Sequence, residues 1–221
     1  MPGRIIPLAT GEYYHIYNRG SEKRIIYTQQ GDYARFLKVI FYYQFIGPRP
    51  SFSKFSKSEI MLLKPLSQEK LIKVICYCLM PNHFHFLIRQ LKENGISKFM
   101  SQISNSYTKY FNTKYNRIGP LFQGAFKAVL IESDEQLIHV SRYIHLNPVV
   151  SGLIKNLEDY RWSSYLEYIK PNDTFCSINE ILGFFTPNER KRYKEFVEAQ
   201  IDYGRKLEKI KHQLIDIDED H

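Results

Sequence analysis

Residues 71–89 read LIKVICYCLMPNHFHFLIR, two runs of β-forming residues separated only by Pro81 and Asn82. Such a pattern predicts two adjacent strands, over residues 71–80 and 83–89, joined by a tight connection. We expect this strand pair to form the centre of the fold.

Further elements are predicted on both sides of this pair. Residues 12–18, EYYHIYN, are rich in β-formers and predict a first strand, and residues 121–132 predict a last one. Apolar residues at helical spacing predict one helix from Asp32 to the Gly47-Pro48 break and a long amphipathic helix over residues 96–116.

A third helix follows the last strand. Ser133 and Gln136 form a capping-box signature, which predicts that this helix begins at about residue 134. It is predicted to end at Asn147, because Pro148 cannot donate a backbone hydrogen bond. The order strand, helix, strand, strand, helix, strand, helix predicts an α+β fold, a ferredoxin-like antiparallel sheet with helices on one face.

The length of 221 residues corresponds to about one and a half typical domains. We predict one domain over residues 1–168 and a helical C-terminal extension over residues 169–221, with a helix at about 187–212 and an acidic tail. Residues 48–69 are rich in Pro, Ser and Lys and predict a basic insertion or loop within the domain. The sequence does not decide whether that segment contacts DNA or is only a solvated loop.

Charge is the most informative feature of the composition. Lys and Arg total 31 against 23 Asp and Glu, a net charge of +8. Four of the acids lie within residues 216–220, so residues 1–214 carry +12. Such an excess predicts a polyanionic partner, because binding phosphates releases condensed counterions.

Other features of the composition narrow the class of protein. A hydrophobic content of 43% argues against a disordered chain. The chain has no apolar run of membrane-spanning length and no signal-peptide pattern, so we expect a cytoplasmic protein without a membrane partner. Three cysteines without C-x-x-C spacing, Cys76, Cys78 and Cys176, predict reduced thiols and neither a disulfide framework nor a zinc site.

His83 and His85 are the sharpest candidates for chemistry. Alternate residues of a strand point to the same face, so the two imidazoles could bind one metal ion while Phe84 packs into the core. Two histidines do not complete a metal site, and two structural or surface histidines are the alternative. A further oxygen or nitrogen ligand would have to come from elsewhere.

The third predicted helix supplies further candidates. His139, Tyr143 and Asn147 follow one another at intervals of four residues and therefore share a face of this helix. Each has a simpler interpretation, as a surface histidine, a core ring and a turn residue. Together with His83 and His85 they form a set that metal-assisted phosphoryl transfer would use.

The chain resembles the single-tyrosine HUH transposases, and within them the REP-associated tyrosine transposases and their solo relatives. The resemblance spans about residues 10–168 and rests on five segments in the expected order. These are YNRG at 17–20, CLMPNHFH at 78–85, GPLFQG at 119–124, YIHLNPV at 143–149 and YRWSSY at 160–165. It implies the same ferredoxin-like sheet that the strand order predicts.

The resemblance also implies a role for each matching residue. His83 and His85 would bind a divalent metal, Mg²⁺ or Mn²⁺, with Asn147 completing the site, and Tyr143 would be the nucleophile. The implied activity is cleavage and rejoining of single-stranded DNA through a 5′-phosphotyrosine, with recognition of a hairpin or palindrome. His139 is a candidate for assisting the reaction. Residues 1–168 would form the catalytic domain of a prokaryotic, nucleoid-associated protein.

Basic residues outside this set are candidates for DNA contact. The resemblance favours phosphate contacts by residues on or after the second helix and on the last strand, with a solvated basic face as the alternative. The chain departs from its relatives at Ala125, where an arginine is common. The candidates for DNA contact are Lys109, Lys114, Arg117 and Lys127.

Three other functions compete with the transposase. One is a domesticated protein that binds DNA hairpins without cleaving them, and a second is a metal-dependent hydrolase of small phosphate esters. The third is another HUH nuclease, such as a replication initiator. The sequence leaves open whether the protein is a monomer or a homodimer, and whether the tyrosine helix serves its own chain or a partner.

Overall fold

The computed structural model describes residues 8–47, 52, 69–171 and 173–206. One antiparallel sheet has the strand order β2-β3-β1-β4. In the chain, helix α1 lies between β1 and β2 and helix α2 between β3 and β4, the arrangement of a ferredoxin-like fold. The predicted fold class is therefore confirmed. The bounds are β1 Tyr13–Arg19, α1 Gln30–Tyr43, β2 Ile72–Met80, β3 His83–Gln90, α2 Gly95–Lys114 and β4 Lys127–Ile131.

Helices α1 and α2 cover one face of the sheet. The strand alternation of β3 directs Phe84 and Phe86 to this face, where their rings lie 5.6 and 6.3 Å from the ring of Phe36 in α1. Tyr107 of α2 packs against the same Phe36 ring at 4.7 Å. The main hydrophobic core therefore lies between the sheet and these two helices.

A third helix, α3 (Asp134–Val150), packs on the opposite face. Its Tyr143 ring lies 5.6 Å from the ring of His85, which alternates with Phe84 and Phe86 on β3. The sequence did not predict a helix on this face. Strand β2 explains it, because all of its residues except Lys73 are buried, and a strand that is apolar on both sides needs cover on both sides.

The predicted end of the third helix at Asn147 is wrong, because α3 continues through Pro148 to Val150. Proline removes only its own N–H from the helical hydrogen-bond pattern, and near the C-terminus of a helix little else is lost. The carbonyl of Asn147 still accepts from the N–H of Ser151 at 3.0 Å, and the carbonyl of Pro148 accepts from the N–H of Leu153 at 3.0 Å.

The C-terminal extension is helical, as predicted. It begins at the last residue of α4 (Tyr165–Ile169) and contains α5 (Asn179–Leu182) and α6 (Glu189–Glu198), and residues 201–206 are helical after a turn. The predicted helix at 187–212 thus begins at Glu189 and is interrupted at 199–200, and its last residues lie outside the described ones. The division into 1–168 and 169–221 stays a prediction, and its boundary falls within α4.

Three remaining predictions concern a loop, the cysteines and membranes. The predicted insertion at 48–69 lies outside the described residues except at positions 52 and 69. Cys76, Cys78 and Cys176 are free and buried, as predicted. None of the helices in the described part of the chain combines the length and apolar character needed to cross a bilayer.

Candidate active site

The histidine pair lies on the face of the sheet that α3 covers. The imidazole rings of His83 and His85 are 5.0 Å apart between centroids and nearly perpendicular. His85 is 7% exposed, and His83 is partly buried. The alternation of β3 thus brings the two rings together on one face, as the spacing of the motif predicts.

Neighbouring side chains hold one nitrogen of each ring. Nδ1 of His83 lies 2.6 Å from Oδ1 of Asn82, an oxygen that can only accept, so this nitrogen donates. Nδ1 of His85 lies 2.9 Å from Nε2 of His15 on β1, and the two rings stack at 5.1 Å. Within the described residues, neither Nε2 of the pair makes a hydrogen bond, so both remain available to a ligand.

Burial keeps these histidines neutral at physiological pH. It lowers the pKa of His83 to about 4, with a smaller effect of the nearby Arg19 charge, and lowers the pKa of His15 to about 4. Burial also holds the pKa of His85 well below its ordinary value, with His83 and His15 acting in the same direction. Neutral imidazole is the form that binds metals.

Tyr143 lies beside the histidine pair of its own chain. Its ring meets His85 edge to face at 5.6 Å and His15 at 5.8 Å between centroids. The side chain is 47% exposed, so Tyr143 is not a core ring. A tyrosine and a histidine pair that are 58 or more positions apart in the sequence are therefore adjacent in one chain.

Asn147 lies one helical turn beyond Tyr143. Its side-chain nitrogen donates to the backbone carbonyl of Tyr143 at 2.9 Å. That hydrogen bond engages the amide nitrogen and leaves the amide oxygen as an acceptor or ligand. Helix geometry therefore presents this oxygen and the phenol on the same side of α3.

These side chains line a common cavity of about 400 Å³. Its walls come from the ends of β2 and β3, from α3 and from residues 200–204 of the C-terminal extension. The predicted residues in its lining are His83, His85, His139, Tyr143 and Asn147, and the polar lining residues that were not predicted are Arg142, Ser151, Gln200 and Tyr203.

His139 lines the cavity but is engaged with another side chain. Its Nδ1 lies 2.7 Å from Nη2 of Arg142, and since guanidinium nitrogens only donate, this Nδ1 accepts. The ring also meets Phe196 of α6 edge to face at 5.6 Å. The structure thus brings His139 to the cavity as a partner of Arg142.

Sequence reasoning missed three residues that support this site. His15 shares a face of β1 with Tyr13 and Tyr17, a pattern that indicates the face of its side chain but not its contact with His85. Arg142 directly precedes the predicted nucleophile. His145 is fully buried, which lowers its pKa to about 3, and gave no signal of its contacts.

The predicted DNA-contact residues are dispersed. Lys109 and Lys114 lie on α2, across the sheet from Tyr143, and the ammonium of Lys114 pairs with buried Asp32 at 2.6 Å. Arg117 donates to Asn112 at 2.9 Å.

Lys127 is exposed on β4 and lies opposite Tyr17, which in turn lies opposite His85. Directly paired residues share a face, so Lys127 alone of the four lies on the Tyr143 side of the sheet.

A pair of histidines on a central strand, facing a tyrosine on a packed helix, defines a candidate site for phosphoryl transfer by a tyrosine. Comparison with known proteins gives a family that is similar to this part of the chain. The family described as "Transposase IS200 like" matches residues 52–147, which contain the histidine pair, Tyr143 and Asn147. The predicted resemblance to single-tyrosine transposases is therefore confirmed, and it holds over these matched residues.

Individual relatives give the same picture. A Haemophilus influenzae protein named "Putative REP-associated tyrosine transposase" is 30% identical to this chain over 110 residues. The match covers 44% of this chain, which spans 61% of the length of that relative.

Two solved structures are also similar. A REP-associated tyrosine transposase bound to a REP hairpin has a TM-score of 0.49 at 17% identity, covering 79% of this chain and 89% of its own. A bacterial tRNA(His) guanylyltransferase-like protein in complex with ATP has a TM-score of 0.38 at 13% identity, covering 70% and 67%.

Proposed function

We propose that the protein is a metal-dependent transposase that cleaves and rejoins single-stranded DNA through a covalent bond to Tyr143. One observation carries the proposal: in a single chain, the half-exposed ring of Tyr143 lies 5.6 Å from the ring of His85, at an open cavity. This placement supports an active site built by one chain. A homodimer stays a prediction.

The donor atoms fit a divalent metal. Both histidines are neutral, and each has Nδ1 held by a neighbour and Nε2 available, which is the usual environment of a metal-binding imidazole. Within the described residues, no group of three or more His, Cys, Asp or Glu would hold a metal. The amide oxygen of Asn147 would therefore be the third ligand.

A bound Mg²⁺ or Mn²⁺ would polarise the scissile phosphate and offset the charge that develops on it. Tyr143 would attack phosphorus through its phenol oxygen and lose its proton. The bond from phosphorus to the 3′ oxygen breaks, that oxygen takes up a proton, and the 5′ end stays on Tyr143. Attack of another 3′-hydroxyl on this phosphotyrosine would release the phenol and rejoin the DNA without ATP.

We propose hairpin or single-stranded DNA as the substrate. The net charge of +12 over residues 1–214 supports a nucleic-acid partner. The relative from Haemophilus influenzae carries the name of a REP-associated transposase, and the preference for a hairpin comes from that resemblance. Lys127, which lies on the Tyr143 side of the sheet, would contact a phosphate of this DNA.

The test compares two tyrosines whose rings lie at similar distances from the ring of His85, 5.6 Å for Tyr143 and 5.8 Å for Tyr17. Tyr17 is half-buried on β1, and its ring lies 5.8 Å from that of His85. The protein is incubated with Mn²⁺ and a single-stranded oligonucleotide that carries the inverted repeats flanking the gene. Denaturing gels and peptide mass spectrometry are expected to show a covalent adduct on Tyr143, which is lost in Tyr143→Phe and retained in Tyr17→Phe.

Other results would favour other functions. An adduct that survives Tyr143→Phe would rule out this nucleophile. Binding of the hairpin without metal and without cleavage would indicate a domesticated binding protein. Saturable hydrolysis of a mononucleotide would indicate a hydrolase of small phosphate esters.

A further inference from the structure

Arg142 is a half-buried cation in the active-site cavity. Within the described residues, no Asp or Glu lies within ion-pair distance of its guanidinium. Burial lowers the pKa of Arg142, yet arginine stays protonated in proteins. A charge partly removed from water and without a counter-ion favours an anionic ligand.

Two residues fix the position of this guanidinium. Nη2 donates to Nδ1 of His139 at 2.7 Å, one helical turn earlier on α3. The guanidinium carbon lies over the ring of Phe196, 4.2 Å from its centroid, and Nη1 lies 3.4 Å from the Phe196 carbonyl. Within the part of the chain that the structure describes, the remaining N–H groups of Arg142 have no other acceptor, and a planar guanidinium suits a phosphate.

Arg142 and Tyr143 are consecutive and line the same cavity. Every linkage of a DNA strand that reaches Tyr143 carries a negative charge, and the linkages next to the scissile one must also enter or border this cavity. We infer that Arg142 binds a phosphodiester group adjacent to the one that Tyr143 attacks. The inference rests on the proposed function and adds a subsite to it.

The same contacts assign a task to the C-terminal extension. Phe196 belongs to α6, which lies outside the residues matched by the family. By stacking on Arg142 it holds the guanidinium against the cavity. The extension therefore positions a substrate-binding group from α3.

The experiment measures equilibrium binding without chemistry. Full-length Tyr143→Phe protein is titrated with the hairpin oligonucleotide, and a set of oligonucleotides each carries one neutral methylphosphonate around the expected cleavage point. Adding Arg142→Gln is expected to weaken binding about tenfold and to reduce the slope of log K against log salt by about 0.7 to 1. In the protein that keeps Arg142, one of the methylphosphonates is expected to weaken binding by a similar factor. In the Arg142→Gln protein, the same methylphosphonate is expected to leave binding unchanged, and a double-mutant cycle measures this coupling.

Two variants serve as controls. Lys191→Gln removes an exposed charge from α6 outside the cavity and is expected to show no coupling to any linkage. Arg142→Lys keeps the charge but not the planar fork, and is expected to retain the salt slope with weaker binding. Circular dichroism checks that each variant is folded.

The outcomes separate the inference from the function. If Arg142→Gln and every methylphosphonate weaken binding additively, Arg142 does not contact an adjacent phosphate, and the proposed function still stands. If the protein binds neither hairpin nor single-stranded DNA from these repeats, both the proposed function and the inference fail.

Discussion

His15 contributes to the candidate site through His85. Its Nε2 lies 2.9 Å from Nδ1 of His85, and the stacked rings restrict how the buried His85 imidazole can turn. Groups that hold the second nitrogen of a metal-binding histidine set its tautomer and orientation. The contact could not be predicted from sequence, because it depends on the register of β1 against β3, which places His15 opposite Leu87.

The first prediction concerns this contact. His15→Ala is expected to weaken Mn²⁺ binding by about 10- to 100-fold, because His85 loses the partner that orients it. Isothermal titration of the DNA-free protein measures the affinity. His139→Ala is the control, since His139 lines the same cavity but is bonded to Arg142. Equal affinities of His15→Ala and the unmodified protein would contradict the orienting role.

Asp32 joins the two helices that cover the first face of the sheet. Its buried carboxylate lies on α1 and accepts from the α2 residues Lys114 at 2.6 Å and Tyr110 at 2.9 Å, and from Tyr115 at 2.7 Å. Burial alone would raise the pKa of Asp32, and the hydrogen bonds, led by that of Lys114, outweigh burial and lower it. Lys114 was predicted to contact DNA, and only the folded chain reveals its ion pair.

The second prediction is that Asp32→Asn lowers the free energy of unfolding at neutral pH by about 2 to 3 kcal/mol. The substitution removes the carboxylate charge that pairs with the ammonium of Lys114. The pKa is lower in the folded state, so the stabilisation is complete above the unfolded pKa of about 3.9 and declines as pH falls through the folded value. Urea unfolding at a series of pH values measures the difference, which is expected to shrink in acid.

The matched control is Asp202→Asn, which alters a carboxylate that is 90% exposed. It is expected to change stability little at any pH, because exposed ion pairs contribute little. A constant difference between the unmodified protein and Asp32→Asn across the acid range would mean that the Asp32 charge does not stabilise the fold.

At the scale of the whole molecule, the C-terminal extension and the sheet meet at His145 of α3. Nε2 of His145 lies 2.8 Å from the hydroxyl of Ser164, which accepts from the backbone N–H of Tyr77 on β2 at 2.9 Å. The hydroxyl of Tyr193 on α6 lies 2.8 Å from Nδ1 of His145 and 3.1 Å from the hydroxyl of Ser141. The helix that carries Tyr143 is thus tied both to the sheet and to the extension.

The third prediction tests this junction. Tyr193→Phe is expected to lower the free energy of unfolding by about 1 to 2 kcal/mol, because it leaves buried polar partners unsatisfied while keeping the ring. Urea unfolding measures it, with Tyr203→Phe as the control, since Tyr203 is 61% exposed. Equal stabilities of the two variants would show that the buried hydroxyl does not hold the extension to α3.

The sequence by itself determined the fold class, the shared face of His83 and His85 and the shared face of Tyr143 and Asn147. These are consequences of strand and helix periodicity, which act over a few residues. Only the tertiary structure decided that the two faces meet in one chain, that His15 contacts His85, and that Phe196 holds Arg142 in the cavity. Such contacts depend on strand register and helix packing between segments far apart in the chain, and no local pattern encodes them.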